Sequence, residues 1–298
     1  MENCKMILDI PFKKNRIQQI SGVVYEQVST CGYDNVALKM DLLVPRQRKR
    51  IPAVVFVTGG QFIHANRDNC IQLRFSLAEA GYVVASIEYR TAPTAIFPEP
   101  IEDVKAAIRY LRANAERFHI DDKNIGIVGE SSGGYLAAFA GVTNGITRFD
   151  RGEYLNKSSA VQAVVDLYGP SDLSAVGADF TSTKQRLYYS AGSAEALWIN
   201  GIGVFGGVDG GVLADRKRLE EANPISYIKK STPPFLLMHG DRDQMVSPSQ
   251  TEILHEALLK AGLDSTRYLV KNAGHGGLTW VQPVVEKIIQ DFLDRHLR

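Results

Sequence analysis

The sequence predicts an α/β fold: a doubly wound, mostly parallel sheet with an antiparallel N-terminal edge. Three observations predict it. From Ile51 onward, short apolar runs alternate with helical patterns, and such alternation requires parallel pairing with right-handed crossovers and helices on both faces. Ahead of that alternation, two β-rich stretches flank turn residues, which makes an antiparallel hairpin at the sheet edge. The chain has 298 residues, 45% hydrophobic and 22% charged, enough for one large soluble domain with a substantial core.

The hairpin is expected at Val23–Val28 and Ala37–Val44, around Gly32-Tyr33-Asp34-Asn35. Pro52–Val57 is a continuous apolar run, the mark of a strand buried on both faces. Cys70–Ala80 reads as a helix closed by Gly81, and Tyr82–Ile87 as the next strand. Pro100–Phe118 is an amphipathic helix with proline in its first turn and Ile101, Val104, Ile108 and Leu111 on one face. Asn124–Val128 is a strand and Tyr135–Ala140 starts a helix. Strands follow at Val161–Leu167, Phe235–His239 and Arg267–Val270, with helices at Ser249–Ala261 and Val281–Leu297.

One connection is longer than a crossover needs. The stretch from Pro170 to Pro234 carries six glycines from Gly201 to Gly211, Trp198 and the charged run Asp215–Glu221. A long connection in a compact domain is functional or mobile. Residues 1–298 are therefore expected to form a single domain with a lid or cap insertion at about 171–233.

The net charge of +1 gives no electrostatic case for nucleic acid or an anionic membrane. The basic cluster Arg46-Gln47-Arg48-Lys49-Arg50 reads as a solvated loop. No stretch approaches the ~20 consecutive apolar residues of a membrane span. Three cysteines, Cys4, Cys31 and Cys70, are an odd number without metal-ligand spacing, which suits a reducing compartment. The start, Met1-Glu2-Asn3-Cys4-Lys5, leads into no signal-peptide run. The expectation is a cytoplasmic protein, with a homodimer allowed.

The chemistry centres on Gly129-Glu130-Ser131-Ser132-Gly133-Gly134. A Gly-x-Ser-x-Gly turn between a buried strand and a helix forces the serine into a strained conformation and exposes its Oγ at the helix N-terminus. A nucleophilic serine needs a base. Of the six histidines, His275 lies in a glycine-rich loop after the last strand, at the carboxyl edge where open α/β sheets place their sites. His239 ends a strand and reads as shaping a turn; His255 reads as a surface residue on a helix. The acid belongs between serine and histidine in the chain. Asp243, a few positions past a strand end, is chosen over Asp241, which reads as a cap for backbone N–H groups. Arg242 reads as one partner of a surface ion pair. Oxyanion donors are expected from the N–H of Ser132 and, in Thr58-Gly59-Gly60-Gln61-Phe62, from those of Gly60 and Gln61.

Together with Tyr89-Arg90-Thr91-Ala92-Pro93, these segments resemble the α/β-hydrolase superfamily from about Val23 to the C-terminus. Within it, the chain looks like the carboxylesterases of the hormone-sensitive-lipase and bacterial feruloyl or acetyl-xylan esterase type. The resemblance implies Ser131 as nucleophile, Asp243 as acid and His275 as base, and a structural role for Arg90, tied to backbone near the site. It is incomplete at two places. The family's oxyanion loop usually reads His-Gly-Gly-Gly, where this chain has Thr58 and Gln61 at the ends of the motif; the elbow carries Glu130 and Ser132 where Asp and Ala are common.

The expected function is serine carboxylic-ester hydrolysis through an acyl-enzyme, on small or aromatic esters, hydroxycinnamoyl included. The partner is a small-molecule ester, and no metal or cofactor is required. Trp198, Tyr188 and Phe62 are the candidate substrate contacts, although the aromatics of the insertion equally suit its own core. Two rivals share the fold: an aminopeptidase or amidase of the prolyl-oligopeptidase type, which needs acidic residues for the substrate amine, and a catalytically dead small-molecule binding protein.

Overall fold

The computed structural model describes residues 6–298; Met1–Lys5 and Cys4, which entered the leader and cysteine expectations, lie outside the described residues. In chain order the elements are β1 (Ile17–Thr30), β2 (Tyr33–Pro45), β3 (Ile51–Val57), α1 (Ile71–Glu79), β4 (Val83–Ile87), α2 (Glu99–Ala113), β5 (Ile120–Glu130) and α3 (Ser132–Val142). There follow β6 (Val164–Leu167), α4 (Ser182–Tyr188), α5 (Ala194–Asn200), α6 (Arg216–Glu221), β7 (Phe235–Gly240), α7 (Ser249–Lys260), β8 (Ser265–Val270) and α8 (Pro283–Leu297). Short 3-10 turns fill several connections.

The eight strands form one sheet in the order β1-β2-β4-β3-β5-β6-β7-β8. β1 pairs antiparallel with β2, and β2 with β4; every other pair is parallel. The edge hairpin is longer than expected and turns at Cys31 and Gly32, both at positive φ. A long twisted ribbon needs little apolar sequence at its outer end, so its tip carries no strong hydrophobic signal.

Alternate residues of the central strands feed two cores. Ala53, Val55 and Val57 join Ile125 and Ile127 under α2 and α3. Val54 and Phe56 point the other way and pack with Leu73 and Leu77 of α1 and Ile289 and Leu293 of α8. This two-sided burial is why β3 and β5 read as unbroken apolar runs.

Helix α2 is buried over more of its circumference than its apolar stripe predicts, because Lys105, Arg109 and Arg112 are buried as well. Each is matched to oxygen. Lys105 Nζ donates to the Thr143 carbonyl at 3.1 Å. Arg109 reaches Asp150 at 3.0 Å. Arg112 donates to the carbonyls of Asp122, Ser158 and Ala160 at 2.9, 2.6 and 2.6 Å. Removing the guanidinium strands those carbonyls, so Arg112→Met is expected to cost about 2–4 kcal/mol of unfolding free energy in a urea titration. A loss below about 1 kcal/mol would mean that water takes over the acceptors.

Candidate active site

The elbow forms where β5 turns into α3. Ser131 sits at φ 55, ψ −127, a conformation that non-glycine residues hold only under constraint. Its N–H is fixed on the Leu167 carbonyl at 2.9 Å. The flanking glycines are obligatory by contact. A Cβ on Gly129 would lie 2.0 Å from the Gly133 carbonyl oxygen, and one on Gly133 would lie 2.1 Å from that of Val57.

Ser131, His275 and Asp243 come together from three separate loops. His275 Nε2 lies 2.8 Å from Ser131 Oγ, and Nδ1 lies 2.7 Å from Asp243 Oδ2. The carboxylate can only accept, so Nδ1 carries the proton and Nε2 is left to accept from the serine hydroxyl. Asp243 Oδ1 accepts the N–H groups of Met245 and Val246 at 2.8 and 3.0 Å. Burial works against the Asp243 charge, but hydrogen bonds from His239 and His275 outweigh it and hold the carboxyl well below the usual range. Asp241 accepts the Asn272 N–H at 2.6 Å, the capping role expected of it. Arg242 forms no ion pair among the described residues, contrary to expectation; the strand end turns its side chain to solvent.

His239 is a residue of the candidate site that sequence reasoning missed. It is fully buried, not a turn former. Its Nε2 lies 3.0 Å from the Val246 carbonyl and 3.2 Å from Asp243 Oδ2. Both partners are acceptors, so Nε2 carries the proton. Asp243 thus sits between two imidazole N–H groups. The only available signal was the four-residue spacing from His239 to Asp243 across the strand end. His255, also expected at the surface, is partly buried, with Nδ1 2.8 Å from Ser265 Oγ.

The loop after β3 departs from expectation at one donor. The Gly60 N–H is taken by Ser132 Oγ at 3.0 Å, so it is withdrawn from the expected donor set. The Gln61 and Ser132 N–H groups have no acceptor among the described residues. Gln61 and Phe62 both have positive φ, 54 and 63. Two bonds tie the loop to the Tyr89–Pro93 segment: Tyr89 Oη to the Thr58 carbonyl at 2.7 Å and the Ala92 N–H to the Phe62 carbonyl at 2.8 Å. Arg90 is held chiefly by carboxylates, Asp103 at 2.7 Å and Glu99 at 2.6 Å, with the Glu99 carbonyl as its one backbone acceptor.

These groups open on a cavity of about 330 Å³ whose wall includes Gln61, Phe62, Tyr188, Met245 and Glu195. Tyr188 is anchored through its hydroxyl to the Met245 carbonyl. Trp198, a candidate substrate contact, does not reach the cavity. It is fully buried and stacks behind Phe62 with ring centroids 4.8 Å apart. The indole seats α5 on the main core, a position its large apolar area favours over the wet cavity wall. Phe205 is exposed. Among the described residues, no helix is long and apolar enough to cross a membrane.

The BD-FAE family model matches residues 40–258. The chain is similar to Esterase LipC of Mycobacterium tuberculosis, 32% identical over 76% of this chain and 53% of LipC. It spans about half the length of the curated relatives it matches. A solved structure described as a truncated carbohydrate esterase from gut microbiota is 31% identical and superposes with a TM-score of 0.80, covering 96% of this chain and 98% of that one. A bifunctional GH43-CE protein of Bacteroides eggerthii is also 31% identical, with a TM-score of 0.78 over 94% of this chain and 35% of that one.

Proposed function

The chain belongs to the BD-FAE family and has the α/β-hydrolase fold, and from this we propose that it hydrolyses carboxylic esters through a serine nucleophile. One observation carries the reading: an unbroken Ser131–His275–Asp243 hydrogen-bond chain beside two unsatisfied backbone donors. Ser131 Oγ attacks the acyl carbon as His275 Nε2 takes its proton. Asp243 holds the tautomer and stabilises the imidazolium. The N–H groups of Gln61 and Ser132 receive the oxyanion. His275 returns the proton to the leaving alcohol and then activates the water that clears the acyl-enzyme. No step calls for a metal or cofactor.

The acyl groups are small or aromatic, hydroxycinnamoyl included. A cavity of about 330 Å³ is at the low end for ligand sites, and the aromatic side chains of Phe62 and Tyr188 are part of its lining. Residues 171–233 act as the lid over that cavity. The similarity to a carbohydrate esterase structure favours sugar-linked esters among the small substrates. The test is turnover of p-nitrophenyl acetate, a hydroxycinnamate ester and a p-nitrophenyl dodecanoate, with mass-spectrometric location of a phosphonofluoridate adduct. Hydrolysis of the first two and an adduct on Ser131 are expected. No turnover of any ester and no adduct would sink the reading.

Glu195 favours one second reading. Glu195 lines the cavity and forms no ion pair among the described residues, and burial pushes its pKa up. Such a group suits a substrate amine, as an aminopeptidase requires. Cleavage of aminoacyl-anilides faster than of the matching esters would decide for it.

His239→Phe is expected to keep the fold and lower kcat about tenfold, since Asp243 loses one of its two imidazole donors. An unchanged kcat would show that the Met245 and Val246 N–H groups suffice to place Asp243.

A further inference from the structure

We propose that Glu130 and Ser132, the side chains on either side of Ser131, are positioning residues that clamp the oxyanion loop to the elbow. The proposal rests on the reading of Ser131 as nucleophile. Glu130 Oε1 accepts the Gly59 N–H at 2.6 Å, and Ser132 Oγ accepts the Gly60 N–H at 3.0 Å. Two successive N–H groups are thereby used up, and the next, on Gln61, is the first left free to face a substrate oxygen.

The remaining bonds of the loop do not reach the elbow. Thr58 and Phe62 are tied to Tyr89 and Ala92, and the Gly60 carbonyl accepts from Ile63 and His64 within the loop. Among the described residues, only the Glu130 and Ser132 bonds connect the donor loop directly to the turn that carries the nucleophile. They therefore set the distance between the Gln61 N–H and Ser131, which must be right to a few tenths of an ångström for an oxyanion to be held. The bond to Glu130 is charge-assisted and correspondingly strong.

The contact leaves no slack. A Cβ on Gly59 would lie 2.7 Å from both the Glu130 carbonyl oxygen and Ser131 Cβ. Glu130 also faces Cys70, at the start of α1, and Tyr168: burial first, and then its charge, push the Cys70 thiol up to about 12 and the Tyr168 hydroxyl well above its ordinary value. The Tyr168 ring packs edge-on against His275 with centroids 4.8 Å apart. One carboxylate thus meets the donor loop and the support of the base. The side chains that depart from the commoner Asp and Ala of this motif are the ones making the clamp.

The test compares wild type, Glu130→Ala, Glu130→Gln and Ser132→Ala by two readouts. In p-nitrophenyl acetate hydrolysis, Glu130→Ala is expected to lower kcat about 10- to 100-fold with KM changed less than about twofold, and Ser132→Ala about three- to tenfold. Glutamine keeps the reach and an acceptor oxygen, so Glu130→Gln is expected within about threefold of wild type. In hydrogen–deuterium exchange, the peptide covering residues 58–62 is expected to lose protection in Glu130→Ala and Ser132→Ala, while peptides of β5 and α3 keep theirs. Glu130→Gln as slow as Glu130→Ala, a loss confined to KM, or unchanged exchange at 58–62 would each overturn the clamp. Wild type inactive on every ester would overturn the esterase reading instead, and the exchange pattern alone would then decide the clamp. If Glu130→Ala loses protection throughout, Ser132→Ala and Glu130→Gln carry the decision.

Discussion

Ser131→Ala is expected to lower kcat on p-nitrophenyl acetate by about five to six orders of magnitude, leaving the slow background that donors and binding alone provide. Among the described residues, the Ser131 hydroxyl is the one hydrogen-bond partner of His275 Nε2, at 2.8 Å. The hydroxyl of the adjoining Ser132 is engaged with the Gly60 N–H. Stability should hold, because the positive-φ conformation at residue 131 costs alanine about as much as serine and the bond from its N–H to the Leu167 carbonyl survives. Purified wild type and variant compared in the same assay check this. Equal rates would remove Ser131 from the mechanism; a variant unable to form the phosphonate adduct yet fully active would point to a different nucleophile.

Asp243→Asn is expected to lower kcat about 10⁴-fold at neutral pH. The asparagine oxygen can still accept from Met245 and Val246, so the loop keeps its shape. The amide nitrogen then faces His275 Nδ1 and can only donate to it. The imidazole is forced into the other tautomer, with its proton on Nε2 toward Ser131, and can no longer act as a base. Asp241→Asn should be nearly silent, since an amide oxygen replaces the acceptor of the Asn272 N–H. Comparing the two variants at one pH separates the acid of the triad from the capping residue. Equal losses would mean that the loop, not the carboxylate, had been disturbed.

The same substitution makes a stability prediction. The folded pKa of Asp243 is depressed below its unfolded value of about 4. A depressed carboxyl contributes stability above the unfolded pKa and loses it as pH falls through the folded one. The stability advantage of wild type over Asp243→Asn is therefore expected to be full at neutral pH and to narrow below about pH 4. Urea midpoints measured across that range check the sign. A gap that widens with acid would mean that Asp243 is not held ionised by its two histidines.

Much of the molecule is determined by contiguous residues. The apolar runs at β3 and β5 specify strands buried on two faces, and the first glycine of the elbow, Gly129, is demanded by the Gly133 carbonyl a few positions on. The order Ser131, Asp243, His275 follows from which strand ends precede which loops. These features are legible because local chain geometry and periodicity are written in neighbouring residues. Other features depend on groups brought together from far along the chain. The Gly60 N–H is withdrawn by a hydroxyl 72 positions away. Trp198 is buried behind Phe62, not on the cavity wall, because α5 packs onto the main core. His239 braces Asp243 because the strand end and the loop after it fold back around a buried imidazole. Arg112 is buried because three carbonyls from other segments converge on it. Composition and spacing indicate which side chains are able to bond; only the packed structure decides which partner lies within 3 Å, and so which donors remain free to do chemistry.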